Sequence, residues 1–187
     1  AGNSMIAAAQ FGGPTFMSCK VANDSDGDIY IADMEAAGVD HCLTGEREEG
    51  TTGKCLVLIS PDAERSMNTN LSISETLSEE QLVPGAITQS EYLYIEGYLV
   101  TSPTGRAAAI KAKSIAEEAG VKTSISFSDP GMVEFFREGM EEMVGDRVNL
   151  AFCNKAEALG WGQTDNLEAA IEKLKLVADT FVITLGS

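Results

Sequence analysis

The sequence predicts an α/β fold, in which helices cover a mostly parallel β-sheet and a small β appendage is attached. Two observations support this prediction. From about residue 90 to the end, strand and helix patterns alternate, which is typical of a parallel sheet with right-handed crossovers. Before that, short apolar segments flank a polar, Gly-rich loop. With 187 residues, 44% of them hydrophobic, the chain suits one domain with a small appendage.

The first half of the chain combines two helices with short strands. A helix over residues 3–11 precedes Gly12 and Gly13, and a strand follows at about 15–21. A second helix is predicted over 24–37, because apolar side chains recur at helical spacing before Gly38. Further strands are predicted at 39–43, 55–60 and 65–71. The loop between the first two of these is polar, so this stretch is the candidate appendage.

The second half predicts the regular part of the fold. Strands are predicted at 92–97, 121–127, 148–153 and 180–185. Helices are predicted at 103–120 and 129–144, from 154, and at 165–176. Pro103 after Ser102 and Pro130 after Asp129 are typical of helix N-termini. Ligands of such sheets bind beyond the carboxyl ends of the strands. The polar residues at these positions are Glu96, Asp129, Asn154, Glu157 and Gly186.

The charge and the cysteines exclude several classes of function. The formal charge of −16 should repel nucleic acid and acidic membranes, so neither is expected as a partner. The sequence contains no signal peptide and no apolar run of transmembrane length. Four cysteines without a C-x-x-C pair, and a single histidine, argue against a zinc site. We expect buried, reduced thiols, which suit a cytoplasmic protein.

Several motifs allow two interpretations. Residues 50–54, Gly-Thr-Thr-Gly-Lys, are not a P-loop, because Glu48 stands where Gly is required and Cys55 where Ser or Thr is required. Asn154 and Glu157 have the spacing of a helix capping box, and that spacing also suits a hydrated Mg²⁺ beside nucleotide phosphates. Thr184 to Gly186 form either an ordinary turn or an anion-binding strand end.

Three further polar residues likewise allow two interpretations each. Asn3 is either the N-cap of the first helix or a ligand-binding residue. Glu96 interrupts an apolar run and is either solvated or placed to accept substrate hydroxyls. Arg65 forms either a surface ion pair or a contact that closes over a ligand.

Taken together, these segments resemble the PfkB (ribokinase-like) family of carbohydrate kinases, and most closely its adenosine-kinase-like members. The resemblance covers essentially the whole chain and depends on the order of its motifs. These are the Asn3 helix, Gly38-Val39-Asp40, Glu64-Arg65-Ser66-Met67-Asn68-Thr69, Glu96-Gly97-Tyr98, Asn154-x-x-Glu157 and Thr184-Leu185-Gly186-Ser187.

The resemblance implies a doubly wound, mostly parallel sheet with helices on both faces and a small β lid. We expect residues 1–38 and 72–187 to form the partial core and residues 39–71 the partial lid. It also implies phosphoryl transfer from ATP, with Mg²⁺, to a hydroxymethyl group of a sugar or nucleoside. A homodimer through the lid is expected.

The resemblance assigns roles to individual residues. Asn3, Arg65 and Glu96 would bind the substrate. Asn154, Thr184 and Gly186 would bind the nucleotide, and Glu157 the metal.

The family's catalytic aspartate lies in a G-A-G-D segment, which is expected beyond Ser187, and its first glycines are expected before residue 1. We therefore expect a chain that is truncated at both ends and inactive alone. The alternative is a non-catalytic ligand-binding or assembly module built on the same scaffold.

Overall fold

The computed structural model describes residues 2–63 and 65–186. The chain divides into two compact units, residues 1–83 and 84–187, which are described separately. In the described part of the chain, no helix is both long and apolar enough to cross a membrane.

The first unit combines two helices with two small pairs of strands. Strands β1 and β2 are parallel, and Met17 is the register partner of His41. Strands β3 and β4 form an antiparallel hairpin whose residues are all exposed. The bounds are α1 Gly2–Gln10, β1 Thr15–Met17, α2 Ser25–Ala36, β2 Val39–His41, β3 Lys54–Ile59 and β4 Arg65–Asn70, followed by 3₁₀ turns at Ser72–Thr76 and Glu79–Gln81.

Helix α2 is fixed at its start by a side-chain cap. Asp24 accepts a hydrogen bond from the Gly27 amide at 2.8 Å, which is the usual role of an aspartate at this position. Gly38 follows the helix with φ +76°, a left-handed conformation that favours glycine. The predicted start and stop of this helix are therefore confirmed.

The second unit is built on a parallel sheet. In the described residues of this unit, four strands lie in the order β5-β6-β7-β8, and every neighbouring pair is parallel. The strands are β5 Tyr92–Glu96, β6 Lys122–Ser126, β7 Val148–Asn154 and β8 Ala178–Thr184. The helices are α3 Pro84–Thr88, α4 Pro103–Glu118, α5 Pro130–Phe135, α6 Arg137–Val144, α7 Lys155–Gly162 and α8 Leu167–Val177, with a 3₁₀ turn at Gly97–Thr101. The predicted α/β fold with a parallel sheet is confirmed.

The core of this unit lies on one face of the sheet. Ile95, Ile125, Ala151 and Phe181 are consecutive register partners across the four strands. They belong to one apolar cluster with side chains of α4 to α8, which include Met140, Met143, Trp161 and Leu174. Burying these large side chains supplies most of the driving force for folding this unit, at roughly 1.5–3 kcal/mol per side chain.

Two predicted helices differ from the structure. The helix expected over 129–144 is broken at Phe136, whose backbone (φ −121°, ψ 28°) is not helical. Neither Gly nor Pro marks that position, so the local sequence gives no signal of the break. The helix expected from residue 165 begins at Leu167, because the Asn166 side chain caps it by accepting from the Ala169 amide at 3.0 Å.

The cysteines are only partly as predicted. All four are free thiols, and Cys19 and Cys153 are buried. Cys55 is exposed and Cys42 is half-buried, so the prediction of buried thiols is wrong for these two. Cys55 lies on the hairpin, where neither face of the strand pair is covered.

Candidate functional site

Polar residues lie at the carboxyl ends of the four parallel strands. Strand β5 ends at Glu96, β6 at Ser126, β7 at Asn154 and β8 at Thr184. Asn154 and Thr184 are register partners on neighbouring strands, as are Glu96 and Ser126. The structure thus brings Glu96, Asn154 and Thr184 to the carboxyl edge of one sheet, which is where ligands of α/β folds bind.

Asn154 and Glu157 form a complete capping box at the start of α7. The Asn154 Oδ1 atom accepts from the Glu157 amide at 2.9 Å. The Glu157 carboxylate accepts from the Asn154 amide at 2.9 Å and from Asn154 Nδ2 at 2.7 Å. The capping box that this spacing predicts is therefore observed.

Glu157 is an unusual carboxyl group, because only 4% of it is exposed. Burial raises the pKa of Glu157, and the negative charge of Asp129 adds to the rise, while the hydrogen bond from the Asn154 backbone opposes it. Asp129 itself caps α5 by accepting from the Gly131 amide at 2.8 Å. Asp129 follows β6 and Glu157 follows β7, so two carboxyl groups that influence each other electrostatically lie at this edge.

These residues fit a metal ion that keeps its own water molecules. Both oxygens of Glu157 already accept hydrogen bonds from Asn154, so direct coordination would compete with the capping box. Among the described residues, no group of three or more His, Cys, Asp or Glu side chains could hold an ion. Mg²⁺ commonly binds through one or two carboxylates, water and substrate phosphates, so this edge suits it better than a metal that needs a protein cage.

Glu96 is held in place by the turn that follows β6. Ser128 Oγ donates to Glu96 Oε1 at 2.8 Å, and the Tyr94 hydroxyl donates to Oε2 at 3.4 Å. Ser128 has φ +68°, a left-handed conformation that is uncommon for serine and often marks functional sites. A Cβ atom at Gly97 would lie 2.4 Å from the Ser126 carbonyl oxygen, so this close approach requires glycine.

Ser126 and Ser128 also lie at this candidate site, and the sequence analysis did not single them out. Their only signal is a Ser-x-Ser-Asp-Pro segment directly after a predicted strand, which is typical of a tight turn. The contact with Glu96 joins two segments that are 32 residues apart in the chain.

Gly186 lies in the segment that follows β8. Its backbone has φ +77°, and no atom lies within 4 Å of the position that a Cβ would take. Conformation, not crowding, therefore favours glycine here. Thr184, the last residue of β8, is exposed, as is Gly186. The turn and anion-binding interpretations both fit this geometry.

The two remaining predicted residues lie in the first unit. Asn3 is exposed and is the second residue of α1, so it is not the cap that precedes the helix. Arg65 is exposed, begins β4 and pairs in register with Ile59. Residues that lie opposite each other in an antiparallel pair share a face, so Arg65 lies on the hairpin face that also carries Val57 and Met67.

Comparison with known proteins connects this arrangement to kinases. The sequence model of the pfkB family carbohydrate kinases matches residues 1–187. The chain belongs to the pfkB family of carbohydrate kinases. This match confirms the ribokinase-like scaffold that the resemblance implies. The kinases of this family are phosphotransferases.

Individual pfkB relatives agree with this assignment. Adenosine kinase from Sinorhizobium meliloti shares 32% identity and superposes with a TM-score of 0.93, covering all of this chain and 57% of that protein. A probable sugar kinase from Rhizobium etli shares 30% identity with a TM-score of 0.92, covering 99% of this chain and 56% of that protein. Mouse ribokinase is 25% identical over 191 residues, which cover 99% of this chain and 56% of the relative. The chain thus spans just over half the length of these relatives.

Proposed function

We propose that this chain is part of an ATP-dependent pfkB kinase that phosphorylates a hydroxymethyl group of a ribose-like sugar or a nucleoside, with adenosine as the preferred class. The supporting observation is the alignment of Glu96, Asn154 and Thr184 at one carboxyl edge, in a chain that matches the family along its length. The similarity to an adenosine kinase supports the nucleoside over other acceptors.

The substrate side would be formed by acceptors and donors for hydroxyl groups. Glu96 is fixed by Ser128 and Tyr94, so its carboxylate is oriented before a substrate binds. A positioned carboxylate discriminates well between ligands with and without a hydroxyl, because it would be left unpaired by the wrong ligand. Arg65 on the hairpin and Asn3 in α1 would add further contacts.

The phosphate side would be formed by the ends of β7 and β8. Asn154 and Thr184 offer an amide and a hydroxyl at neighbouring positions, and Gly186 permits close approach of backbone N–H groups to an anion. Glu157 would bind Mg²⁺ through water. When bound, Mg²⁺ would neutralise charge on the phosphate oxygens.

We further propose that the 187 residues alone do not transfer phosphate. Phosphoryl transfer needs a group that takes the proton of the attacking hydroxyl, and the family's G-A-G-D segment is not among these residues. The free thiols suit the reducing conditions of the cytoplasm, which is the location we propose.

A phosphoryl-transfer assay with ATP, Mg²⁺ and either adenosine, ribose or fructose tests this function. It should be run on the 187-residue chain and on the product of the longest reading frame that contains it. We expect turnover only from the longer product. In that product, Glu96→Ala should lower kcat/KM about 10- to 100-fold, because a hydrogen bond to a charged group contributes roughly 1.5–3 kcal/mol. Glu168→Ala, an exposed site on α8, is the matched control.

The possible results separate the proposals. Turnover by the 187-residue chain would refute its inactivity. Binding of adenosine or ribose by the longer product without any transfer would instead favour the alternative, a non-catalytic ligand-binding module on the kinase scaffold.

We also propose that the hairpin is a lid through which two copies pair. Residues 39–71, including β2 to β4, would form this lid over the substrate. If Arg65 faces the substrate, the opposite hairpin face carries the exposed Leu56 and Leu58. Light scattering should show a dimer that Leu58→Glu dissociates and that Val57→Glu, on the Arg65 face, leaves intact. A monomer at all concentrations would contradict the pairing.

A further inference from the structure

Cys19 and Cys42 lie side by side where β1 and β2 end. The Cys42 amide donates to the Met17 carbonyl at 3.1 Å, which extends the ladder by one residue. Cys42 Sγ accepts from the Cys19 amide at 3.3 Å and donates to the Cys19 carbonyl oxygen at 3.2 Å. The Cys42 sulfur thus contacts the backbone of Cys19, although the two residues are 23 positions apart in the chain.

We propose that Cys19 and Cys42 are a redox-responsive dithiol, in which Cys42 reacts first with a hydroperoxide and Cys19 then converts the product into an intramolecular disulfide. The contacts just described hold the Cys42 sulfur against the backbone of Cys19, the residue that carries the second thiol. The proposal concerns a surface of the first unit and does not depend on the proposed kinase activity.

The surroundings give the two thiols different chemistry. The hydrogen bonds from the Cys19 thiol and backbone, together with the charge of His41, lower the pKa of Cys42 to about 6, although burial opposes this. The partner thiol and burial raise the pKa of Cys19, while a hydrogen bond with Tyr30 lowers it. His41 also lies 3.5 Å from Glu35. Cys42, the less buried residue, therefore loses its proton more readily than Cys19 does.

The reaction balances without any other reactant. The Cys42 thiolate attacks one peroxide oxygen, the O–O bond breaks, and hydroxide leaves, so that Cys42 becomes a sulfenic acid. The Cys19 sulfur then attacks the Cys42 sulfur. The S–O bond breaks as the S–S bond forms, and the departing hydroxide takes the Cys19 proton as water. The two sulfurs together lose two electrons, which reduce one hydroperoxide.

The disulfide would fasten two segments that already run side by side. The Asn23 amide donates to the Glu48 carbonyl at 2.8 Å, and the Ala22 amide donates to Thr52 Oγ1 at 3.0 Å. The Thr52 amide in turn donates to Asp24 Oδ2 at 2.8 Å. Cys19 and Cys42 precede these two segments, so a covalent bond there would keep the loop before β3 attached to the start of α2.

The test uses the full chain and hydrogen peroxide. After treatment at pH 6, remaining thiols are blocked with N-ethylmaleimide, and the digested chain is analysed by mass spectrometry. We expect a Cys19–Cys42 linked peptide two mass units lighter than its reduced components. Cys55, which is more exposed than Cys42, is the internal control, because accessibility alone would make it react first. The oxidised chain should also melt roughly 5–10 °C higher than the reduced chain, because the disulfide closes a loop of more than twenty residues.

Two variants and one rate complete the test. Cys19→Ser should leave a sulfenic acid at Cys42 that a cyclic 1,3-diketone traps, whereas Cys42→Ser should leave Cys19 unoxidised. At pH 6, Cys42 should be alkylated about tenfold faster than N-acetylcysteine, since its larger thiolate fraction outweighs its weaker nucleophilicity. Oxidation of Cys55 ahead of Cys42, or a Cys42 sulfinate without the linked peptide in the unsubstituted chain, would overturn the proposal.

Discussion

Replacing Asn154 with alanine separates the structural role of the capping box from its proposed role in binding phosphate. The change removes Oδ1, which caps α7, and Nδ2, which donates to Glu157 at 2.7 Å. It leaves the backbone donor of residue 154 in place. Glu157, which is almost fully buried, would then keep a single hydrogen-bond donor from residue 154.

The expected loss of folding stability has two parts. Losing an N-cap side chain costs about 1 kcal/mol. Leaving a buried charged acceptor short of a partner costs about 1–3 kcal/mol more. We therefore expect Asn154→Ala to lower the free energy of unfolding by about 2–4 kcal/mol. Asn154→Ser, which keeps a capping oxygen, should lose only the second part.

Urea denaturation followed by tryptophan fluorescence measures this loss directly. Trp161 is the only tryptophan in the sequence, lies on α7 itself and is buried against Phe127, with ring centroids 4.9 Å apart. Its emission therefore reports the helix that the box begins. A loss below about 0.5 kcal/mol for Asn154→Ala, or equal losses for alanine and serine, would refute the reasoning.

Three further substitutions test other parts of the structure. Folding raises the pKa of Glu157, so the folded chain binds that proton more tightly than the unfolded chain does. Stability therefore falls as the pH rises from about 4.3 through the raised value. Glu157→Gln should make the free energy of unfolding, measured in urea titrations at pH 4–7, less dependent on pH. Folding lowers the pKa of Asp24 to about 2, so its contribution to stability is present above about pH 4 and is lost as the pH falls towards 2. Asp24→Asn should therefore lower stability near neutral pH and lose less of it on acidification, as measured by urea unfolding followed by circular dichroism. Gly97→Ala should cost about 1–3 kcal/mol in urea denaturation through its clash with Ser126, whereas Gly85→Ala, in open space, should not.

Local sequence signals were sufficient to predict the regular helices and strands of the second unit. Ser102 caps α4 as predicted, with its Oγ accepting from the Gly105 amide at 3.1 Å, and Pro103 fixes the first turn. The spacing of Asn154 and Glu157 likewise predicts the capping box that is observed. These features depend on residues three or four positions apart, which a single sequence displays.

The features that sequence reasoning missed depend on partners that are distant in the chain. The left-handed conformation of Ser128 accompanies a hydrogen bond with Glu96, on another strand. The burial of Glu157 follows from packing in the core, and its residue type predicts exposure. The pairing of Cys19 with Cys42 requires the register of β1 and β2, which neither segment reveals alone.

The exposed hairpin also has a consequence for handling the protein at high concentration. Strand β3 presents Leu56, Val57, Leu58 and Ile59 in an uninterrupted apolar run, and within the described residues its sheet contains only two strands. A run of this kind with open backbone hydrogen-bonding groups can template stacking between molecules, as in amyloid. Lys54 is the charged residue that begins this strand. Its replacement by a neutral residue should promote precipitation at concentrations where the unsubstituted chain stays clear.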